Sequence, residues 1–228
     1  MIQYPENWQR IGQETKLKEI EFAIRDCLNN FSIGNLSLSG GIDSTLLLYY
    51  LKTTKYLTGK KIKCYTIALN KEHPDYIYAQ IAAKFFGVEL SICLLNKKTE
   101  PNNIVKIFYD FLSDQGVTKI IAGDGVDEFT CGYYSHIQDK SERNYISFIR
   151  KLNPEHLIPL NKNSKNVEVF LPYLSPNVVS LLTLIPLYKK TEFDKRKKII
   201  RNLAKNNIPS KIINRHKYGF CDASWIKD

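Results

Sequence analysis

The sequence lacks most features of exported, zinc-binding or membrane-embedded proteins. Its 228 residues include only five cysteines, none of them in a Cys-x-x-Cys pair, which argues against a zinc site or a redox pair. No stretch reaches the roughly 20 apolar residues that a membrane helix needs. The first six residues, MIQYPE, lack the basic start and apolar run of a signal peptide. We therefore expect a cytoplasmic protein that does not contact a membrane.

The composition also lacks the bias of disordered or repetitive chains. Hydrophobic residues make up 43% and charged residues 25%, with only 11 Gly and 9 Pro. A chain of this length can bury one sizeable core with a small appendage, but it is too short for two full domains.

The positive charge is concentrated near the C-terminus. The formal net charge is +10. Between Lys189 and Lys217, 11 Lys or Arg residues stand against Glu192 and Asp194, which gives this segment a balance of +9. Such a patch can attract nucleic acid, form the anion-binding wall of a phosphate site, or be the solvated face of a helix. The composition leaves all three interpretations open.

Hydrophobic patterning predicts strands that alternate with helices over the first 122 residues. The predicted strands are 35–39, 61–69, 89–95 and 118–122, and the predicted helices are 15–28, 42–57, 75–86 and 102–112. This alternation predicts an α/β fold with a doubly wound, mostly parallel sheet of about five strands.

The pattern becomes helical after about Tyr134, with predicted helices over 141–152, 176–184 and 194–206. We divide the chain into a helical lead-in (1–30), a core (31–135) and a helical extension (136–228). The extension looks too small for a core of its own, so we expect it to pack on the sheet and complete the active site.

A glycine turn follows the first predicted strand, with the sequence SGGIDS over residues 39–44. Paired glycines let backbone N–H groups approach a phosphate, Ser39 and Ser44 add hydroxyls, and the next helix presents its positive end. Asp43 would repel phosphates unless a cation such as Mg²⁺ stood between them. The alternative is a tight turn with Asp43 as a helix cap. Without a Gly-Lys-Ser/Thr ending, the turn is not a Walker A loop.

A second glycine turn follows the fourth strand, with the sequence GDGVDEFTCGY over residues 123–133. Asp124, Asp127 and Glu128 would repel one another, so a divalent cation or a nearby lysine is expected. The alternative is an acidic surface loop.

A third element is basic. It comprises KKIIR at 197–201, Ile208-Pro209, and NRHKYGF at 214–220. Ile199, Ile200 and Leu203 recur on one side of the predicted helix, which indicates a buried face.

These three motifs together resemble a known family. Residues 39–44 match the SGGxDS pyrophosphate loop of the N-type ATP pyrophosphatases, which cleave ATP between its α and β phosphates. Residues 123–133 resemble the GEGxDExFxGY segment of asparagine synthetases, and the basic element resembles their closing K-x-ILR helix and R-x-K-x-GF segment. The short stretch 171–174 (LPYL) resembles their VPFLD-type stretch, with Ser175 in place of the usual Asp. The resemblance spans roughly residues 30–222 and implies an adenine nucleotide alpha hydrolase-like fold.

The resemblance also implies an ATP site and a Mg²⁺ site. Asp43 and Asp127 would share Mg²⁺, and backbone groups of three residues would edge the adenosine, namely Leu38, Ile67 and Gly123. The residues of the pyrophosphate loop itself would be Ser39, Gly40, Gly41, Asp43 and Ser44.

Two further residues gain catalytic roles from the resemblance. Lys197 would meet the α-phosphate and the leaving pyrophosphate. Asp124 would lie at the acyl-adenylate, where it orients the nucleophile or takes its proton, although the family usually has Glu, one methylene longer. The neighbouring lysines Lys190, Lys195 and Lys198 are expected to be solvated.

The sequence departs from glutamine-dependent asparagine synthetases in two places. Residue 2 is Ile, where those enzymes have a nucleophilic cysteine, so we expect no glutamine hydrolysis by this chain. Nitrogen would then come from ammonia, from an amine, or from a separate glutaminase partner. The region 95–118 is short and lacks an Arg-x-Ser/Thr-Pro stretch, which leaves the electrophile open. It could be another carboxylate or a carbonyl oxygen on a larger molecule, and a carrier protein could be a partner.

The leading hypothesis is therefore an ATP- and Mg²⁺-dependent ligase that adenylates a carboxylate, forms an amide, and releases AMP and pyrophosphate. The alternative is a relative that activates a base of tRNA, which the basic patch would favour. A nucleotide-binding module without catalysis is disfavoured, because Asp43, Asp127 and Lys197 are all present.

Overall fold

A computed structural model describes residues 15–54, 61–95, 97, 99–192 and 195–216. Its centre is a five-stranded sheet in the order β3-β2-β1-β4-β5, in which every neighbouring pair is parallel. The strands are β1 (Asn35–Ser37), β2 (Lys63–Ala68), β3 (Glu89–Leu94), β4 (Lys119–Ile121) and β5 (Glu168–Phe170). The predicted fold class is confirmed.

Four helices accompany the first four strands; the first precedes β1, and the other three connect consecutive strands. Helix α1 buries Ile20, Ile24 and Leu28 on one side, as its spacing predicts. Helices α3 and α4 each begin with a proline, whose missing N–H costs nothing in the first turn. The four helices are α1 (Leu17–Phe31), α2 (Ile42–Thr53), α3 (Pro74–Phe86) and α4 (Pro101–Asp114).

Short helices dominate the rest of the described chain. They are α5 (Val126–Thr130), α6 (Ser135–Gln138), α7 (Glu142–Lys151), a π-helix (Leu152–Leu157), α8 (Ile158–Ser164), a 3₁₀ turn (Pro172–Leu174), α9 (Pro176–Leu184), α10 (Leu187–Lys190), α11 (Lys198–Ala204) and α12 (Ser210–Ile213). Among the described residues, no helix is both long and apolar enough to cross a bilayer.

Two details of the predicted pattern differ from the structure. The region beyond residue 135 is not purely helical, because it supplies β5, which pairs with β4 at the edge of the sheet. Three residues are too few to show strand alternation in sequence. The helix predicted over 194–206 is shorter, since α11 begins only at Lys198. The domain boundary near residue 135 stays a prediction.

Packing on both faces of the sheet explains why its strands are apolar. Cys64 and Ile121 face one core, which they share with residues of α1, α2, α9 and α11. Tyr65 and Ile120, one position away in sequence, face a second core with α4. Because adjacent strand residues point to opposite faces, helices cover both sides, and the carboxyl ends of the strands remain open for a site.

Candidate active site

The candidate site is a cavity of about 300 Å³ beyond the carboxyl ends of the neighbouring strands β1 and β4. On one side it is lined by the glycine turn after β1, including Ser39, Gly41 and Asp43. The other side is formed by the basic C-terminal segment, which contributes Lys195, Arg196, Lys197, Arg201, Arg215 and His216. The basic patch therefore forms one wall of this cavity, and the binding of an anion there stays a prediction.

The glycine turn has the geometry of an anion-binding loop. Gly40 has a φ of +69°, and a Cβ there would lie 2.2 Å from the backbone of Tyr78, so only glycine fits. The Ser39 and Ser44 hydroxyls lie 3.2 Å apart, and the Gly41 N–H donates to Ser39 Oγ at 3.3 Å. Helix α2 begins at the next residue and directs its positive end toward the cavity.

The second turn lies directly beside the first. The position of a Cβ on Gly123 would be 3.7 Å from both Asp43 Cβ and the Ser44 nitrogen. Gly125 has a φ of +85° and directly precedes helix α5, which carries Asp127. The adjacency of β1 and β4, where Leu36 pairs with Ile121, thus brings Asp127 and Asp43 to one place.

Lys197 holds the centre of the site. Its ammonium forms ion pairs with Asp127 Oδ1, at 2.5 Å, and with Asp43 Oδ2. The lysine side chain is only 7% exposed. Burial alone would lower the pKa of Lys197, but the carboxylates of Asp127 and Asp43 raise it above its usual value. The lysine therefore stays charged.

The backbone at Lys197 is unusual. The residue precedes α11 rather than lying within it, and its φ of +56° is in the left-handed region. A non-glycine residue rarely adopts this conformation, which here turns the side chain into the site. Gly132 supplies the space, because a Cβ there would lie 1.6 Å from Asp127 Oδ1 and 2.7 Å from Lys197 Cε.

The donor set suits Mg²⁺ bound together with phosphates. Mg²⁺ is typically held by one or two carboxylates, with water and phosphate oxygens completing its shell. Asp43 and Asp127 supply two carboxylates that already face one cation, the Lys197 ammonium. The described residues contain no cluster of three or more His, Cys, Asp or Glu side chains that could bind a metal without a substrate.

Asp124 lies on the same turn but outside the cavity lining. Its side chain reaches solvent. The surrounding protein atoms partly desolvate it, and this desolvation, together with the charges of Asp127 and Asp43, raises the pKa of its carboxyl. An ordinary aspartate would be a weaker base.

The backbone residues expected beside adenosine lie at the strand ends around the cavity. The Leu38 N–H donates to the Tyr65 carbonyl at 2.8 Å, which extends the β1–β2 pairing past β1. Ile67 is buried in β2, and Gly123 follows β4. None of the three lines the cavity itself, so their contact with adenosine stays a prediction.

The lysines near Lys197 differ from one another in their exposure to solvent. Lys195 is exposed, and Lys198 is 36% exposed beside Glu192, at 3.8 Å. The expectation that Lys190 is solvated is wrong, because its side chain is buried against Tyr145 of α7 and donates to the Tyr145 hydroxyl at 2.5 Å. Burial lowers the pKa of Lys190 to about 7. Lys217 and the positions after it lie outside the described residues.

Other contacts at the site have no counterpart in the sequence analysis. The Tyr173 hydroxyl donates to the Asp43 carbonyl at 2.9 Å, and the Arg196 guanidinium donates to the Gly132 carbonyl at 3.0 Å. Arg215 donates to the Ser39 carbonyl at 2.7 Å. The separations in sequence, from 64 to 176 residues, put these contacts beyond any local pattern.

Comparison with known proteins agrees with this geometry. The family model described as asparagine synthase matches residues 19–113 and 161–228. The chain is also similar to a protein of Acanthamoeba polyphaga mimivirus named as a probable asparagine synthetase (glutamine-hydrolyzing). The two are 25% identical over an alignment of 229 residues, which covers 84% of this chain and 40% of that relative. The chain thus spans less than half the length of the curated relative that it matches.

Proposed function

The chain belongs to the asparagine synthase family, and on that premise we propose that it is an ATP-dependent, amide-forming ligase. It adenylates a small-molecule carboxylate and passes the acyl group to ammonia or an amine, with release of AMP and pyrophosphate. ATP and Mg²⁺ are its proposed cofactors, and the cytoplasm its proposed location.

The observation that carries the proposal is the Lys197 ammonium between Asp43 and Asp127, beside a glycine turn that opens a helix. A nucleotide phosphate placed there meets backbone N–H groups, serine hydroxyls and a charged lysine. No Gly-Lys-Ser/Thr sequence is present to favour transfer of the γ-phosphate. These groups therefore suit cleavage between the α and β phosphates.

Each group has a role that follows from its chemistry. Asp43 and Asp127 would hold Mg²⁺, which when bound neutralises phosphate oxygens. The turn formed by Ser39, Gly40, Gly41 and Ser44 binds the departing pyrophosphate through N–H and O–H donors. Lys197 neutralises the charge that develops as the bond breaks, an interaction that is strongest in the transition state.

Asp124 is the proposed base. A carboxyl with a raised pKa accepts a proton more readily than an ordinary aspartate. It would take the proton that a nitrogen nucleophile loses on attack at the acyl-adenylate. The proposed nitrogen source is ammonia, an amine or a separate glutaminase, and a carrier protein would be a partner that presents the carboxylate.

The second candidate, activation of a tRNA base, is favoured only by the basic patch. Much of that patch is occupied within the protein. Lys190 is buried, Lys197 pairs with carboxylates, Arg201 donates to the Ile213 carbonyl, and Arg215 pairs with Asp75. Fewer cations are left for a phosphate backbone than the net charge suggests.

The test is exchange of radiolabelled pyrophosphate into ATP, screened against a panel of carboxylates with Mg²⁺. We expect exchange with at least one carboxylate and formation of AMP, with no activity in the Asp127→Asn variant. ADP and phosphate as products would contradict the proposal. Retention of RNA through a salt gradient, with exchange only when tRNA is added, would favour the second candidate.

A further inference from the structure

We propose that Arg215 is a positioning residue that holds the pyrophosphate-binding turn in the conformation that accepts phosphates. The inference rests on the proposed function of that turn. One guanidinium nitrogen of Arg215 donates to the Ser39 carbonyl at 2.7 Å, and the other forms an ion pair with Asp75 Oδ1. The side chains of Arg215 and Asp75 are only 5% and 6% exposed.

Three parts of the chain meet at this guanidinium. Ser39 belongs to the turn after β1, Asp75 to the first turn of α3, and Arg215 to the segment after α12. The guanidinium lies over the Tyr78 ring, 4.7 Å from its centroid. Gly40 packs against the Tyr78 backbone so closely that a Cβ there would collide with it. The turn is thus held between α3 and Arg215.

The aspartate is itself fixed at the start of α3. Its backbone N–H donates to Nδ1 of the fully buried His73 at 3.1 Å. A fixed Asp75 carboxylate orients the planar guanidinium, so that its other terminal nitrogen points at the Ser39 carbonyl. The aspartate therefore acts on the turn through Arg215.

The bond to the Ser39 carbonyl matters because this carbonyl lies at the rim of an anion site. Its oxygen carries partial negative charge, which would repel a phosphate if it turned inward. Bonding to Arg215 both fixes the orientation of the carbonyl and offsets its charge. A phosphate would then compete only with Ser39 Oγ, at 3.3 Å, for the Gly41 N–H.

A buried ion pair of this kind is weak evidence for a role in stability alone. Desolvation of both charges offsets much of their attraction, so such pairs often add little net stability. Arg215 and Ser39 also line the cavity, as does Asp75. The arrangement accordingly favours control of loop geometry over simple reinforcement of the fold.

The test compares the affinities of Mg·ATP and AMP in the full chain and its variants. ATP carries the β and γ phosphates that the turn would hold, whereas AMP does not. In Arg215→Ala we expect ATP affinity to fall at least about tenfold, the scale of a lost charge-assisted hydrogen bond, with AMP affinity within about twofold. Added guanidinium ion should restore part of the ATP affinity.

Two other variants sharpen the comparison. Lys211→Ala removes an exposed charge 6.0 Å from the same Tyr78 ring and should leave both affinities unchanged. Arg215→Lys keeps the charge but cannot bond both partners, so its ATP affinity should lie between wild type and Arg215→Ala. If Arg215→Ala fails to fold, the Arg215→Lys comparison decides the matter.

The outcomes separate this inference from the proposed function. Equal ATP affinity in wild type and Arg215→Ala, or an equal loss of ATP and AMP affinity, would overturn the role of Arg215 and leave the ligase proposal standing. Failure of the wild-type protein to bind Mg·ATP would overturn both.

Discussion

Replacing the buried lysine Lys190 with methionine should stabilise the protein, most strongly at and below neutral pH. Only 1% of this residue is exposed, and its ammonium lies 4.2 Å from the centre of the Tyr145 ring. Desolvation lowers the pKa of Lys190 from 10.5 to about 7. Methionine has a similar length and carries no charge, so it fills the same space without that penalty.

The size of this stabilisation and its dependence on pH follow from proton linkage. Between pH 7 and 10.5 the unfolded chain binds a proton at Lys190 that the folded chain has released, so wild-type stability rises with pH across this window. Below pH 7 both states are protonated, and the full penalty remains. At 1.36 kcal/mol per pH unit, the penalty is about 5 kcal/mol. The lost bond to Tyr145 subtracts about 1 kcal/mol from the gain.

The assay is urea unfolding of wild type and Lys190→Met at pH 6, 7.5 and 9, chosen to bracket the titration. The gain from methionine should be largest at pH 6 and shrink as pH rises. Contributions from other titrating groups are common to both proteins and cancel in the difference. Lys198→Met, at a half-exposed position, should show a small difference that does not change with pH. A gain at Lys190 that is equal at every pH, or a loss at pH 6, would refute the reasoning.

The remaining predictions concern the site. Asp127→Asn should abolish pyrophosphate exchange and lower the free energy of unfolding by roughly 1–3 kcal/mol, because the buried Lys197 ammonium loses one partner; unchanged exchange would remove Asp127 from the metal site. Lys197→Ala should slow adenylation by about 10²- to 10³-fold, whereas Lys198→Ala should be nearly silent in the same exchange assay; the reverse result would contradict the assignment. Gly132→Ala should impair exchange as severely, since its Cβ would displace Asp127; a fully active variant would show that the carboxylate can move.

Much of the site could be predicted from local sequence together with one rule about parallel sheets. Each glycine turn was predicted because it follows a strand, and neighbouring parallel strands end at the same edge. Asp43 and Asp127 are 84 positions apart, yet the pairing of β1 with β4 brings them to one ammonium. The expectation of a cation or a lysine beside the acidic turn rested on repulsion alone, and the structure shows the lysine.

The direction in which each basic residue points could not be predicted in the same way. Lys190 and Lys198 both belong to the basic segment, yet one is buried against Tyr145 and the other lies half-exposed beside Glu192. Their environments depend on contacts with residues far away in sequence, such as Tyr145, 45 positions from Lys190. The prediction for Lys197 depended on the family motif. The prediction that Lys197 lies within a helix is wrong. The residue precedes α11 in a left-handed conformation, which no sequence pattern indicates.

Part of the positive charge of the C-terminal region is therefore paired within the protein, which its net value does not reveal. Lys197 is paired with two carboxylates at the end of the sheet, and Arg215 with Asp75 and the Ser39 carbonyl. Both cations come from the last part of the described chain, while their partners lie on the turn after β1 and on helices α2, α3 and α5. The ion pairs thus attach this region to the rest of the molecule at the point where the phosphates are proposed to bind. A phosphate entering the cavity would compete with carboxylates for cations that are already in place, so these groups need little rearrangement when charge develops.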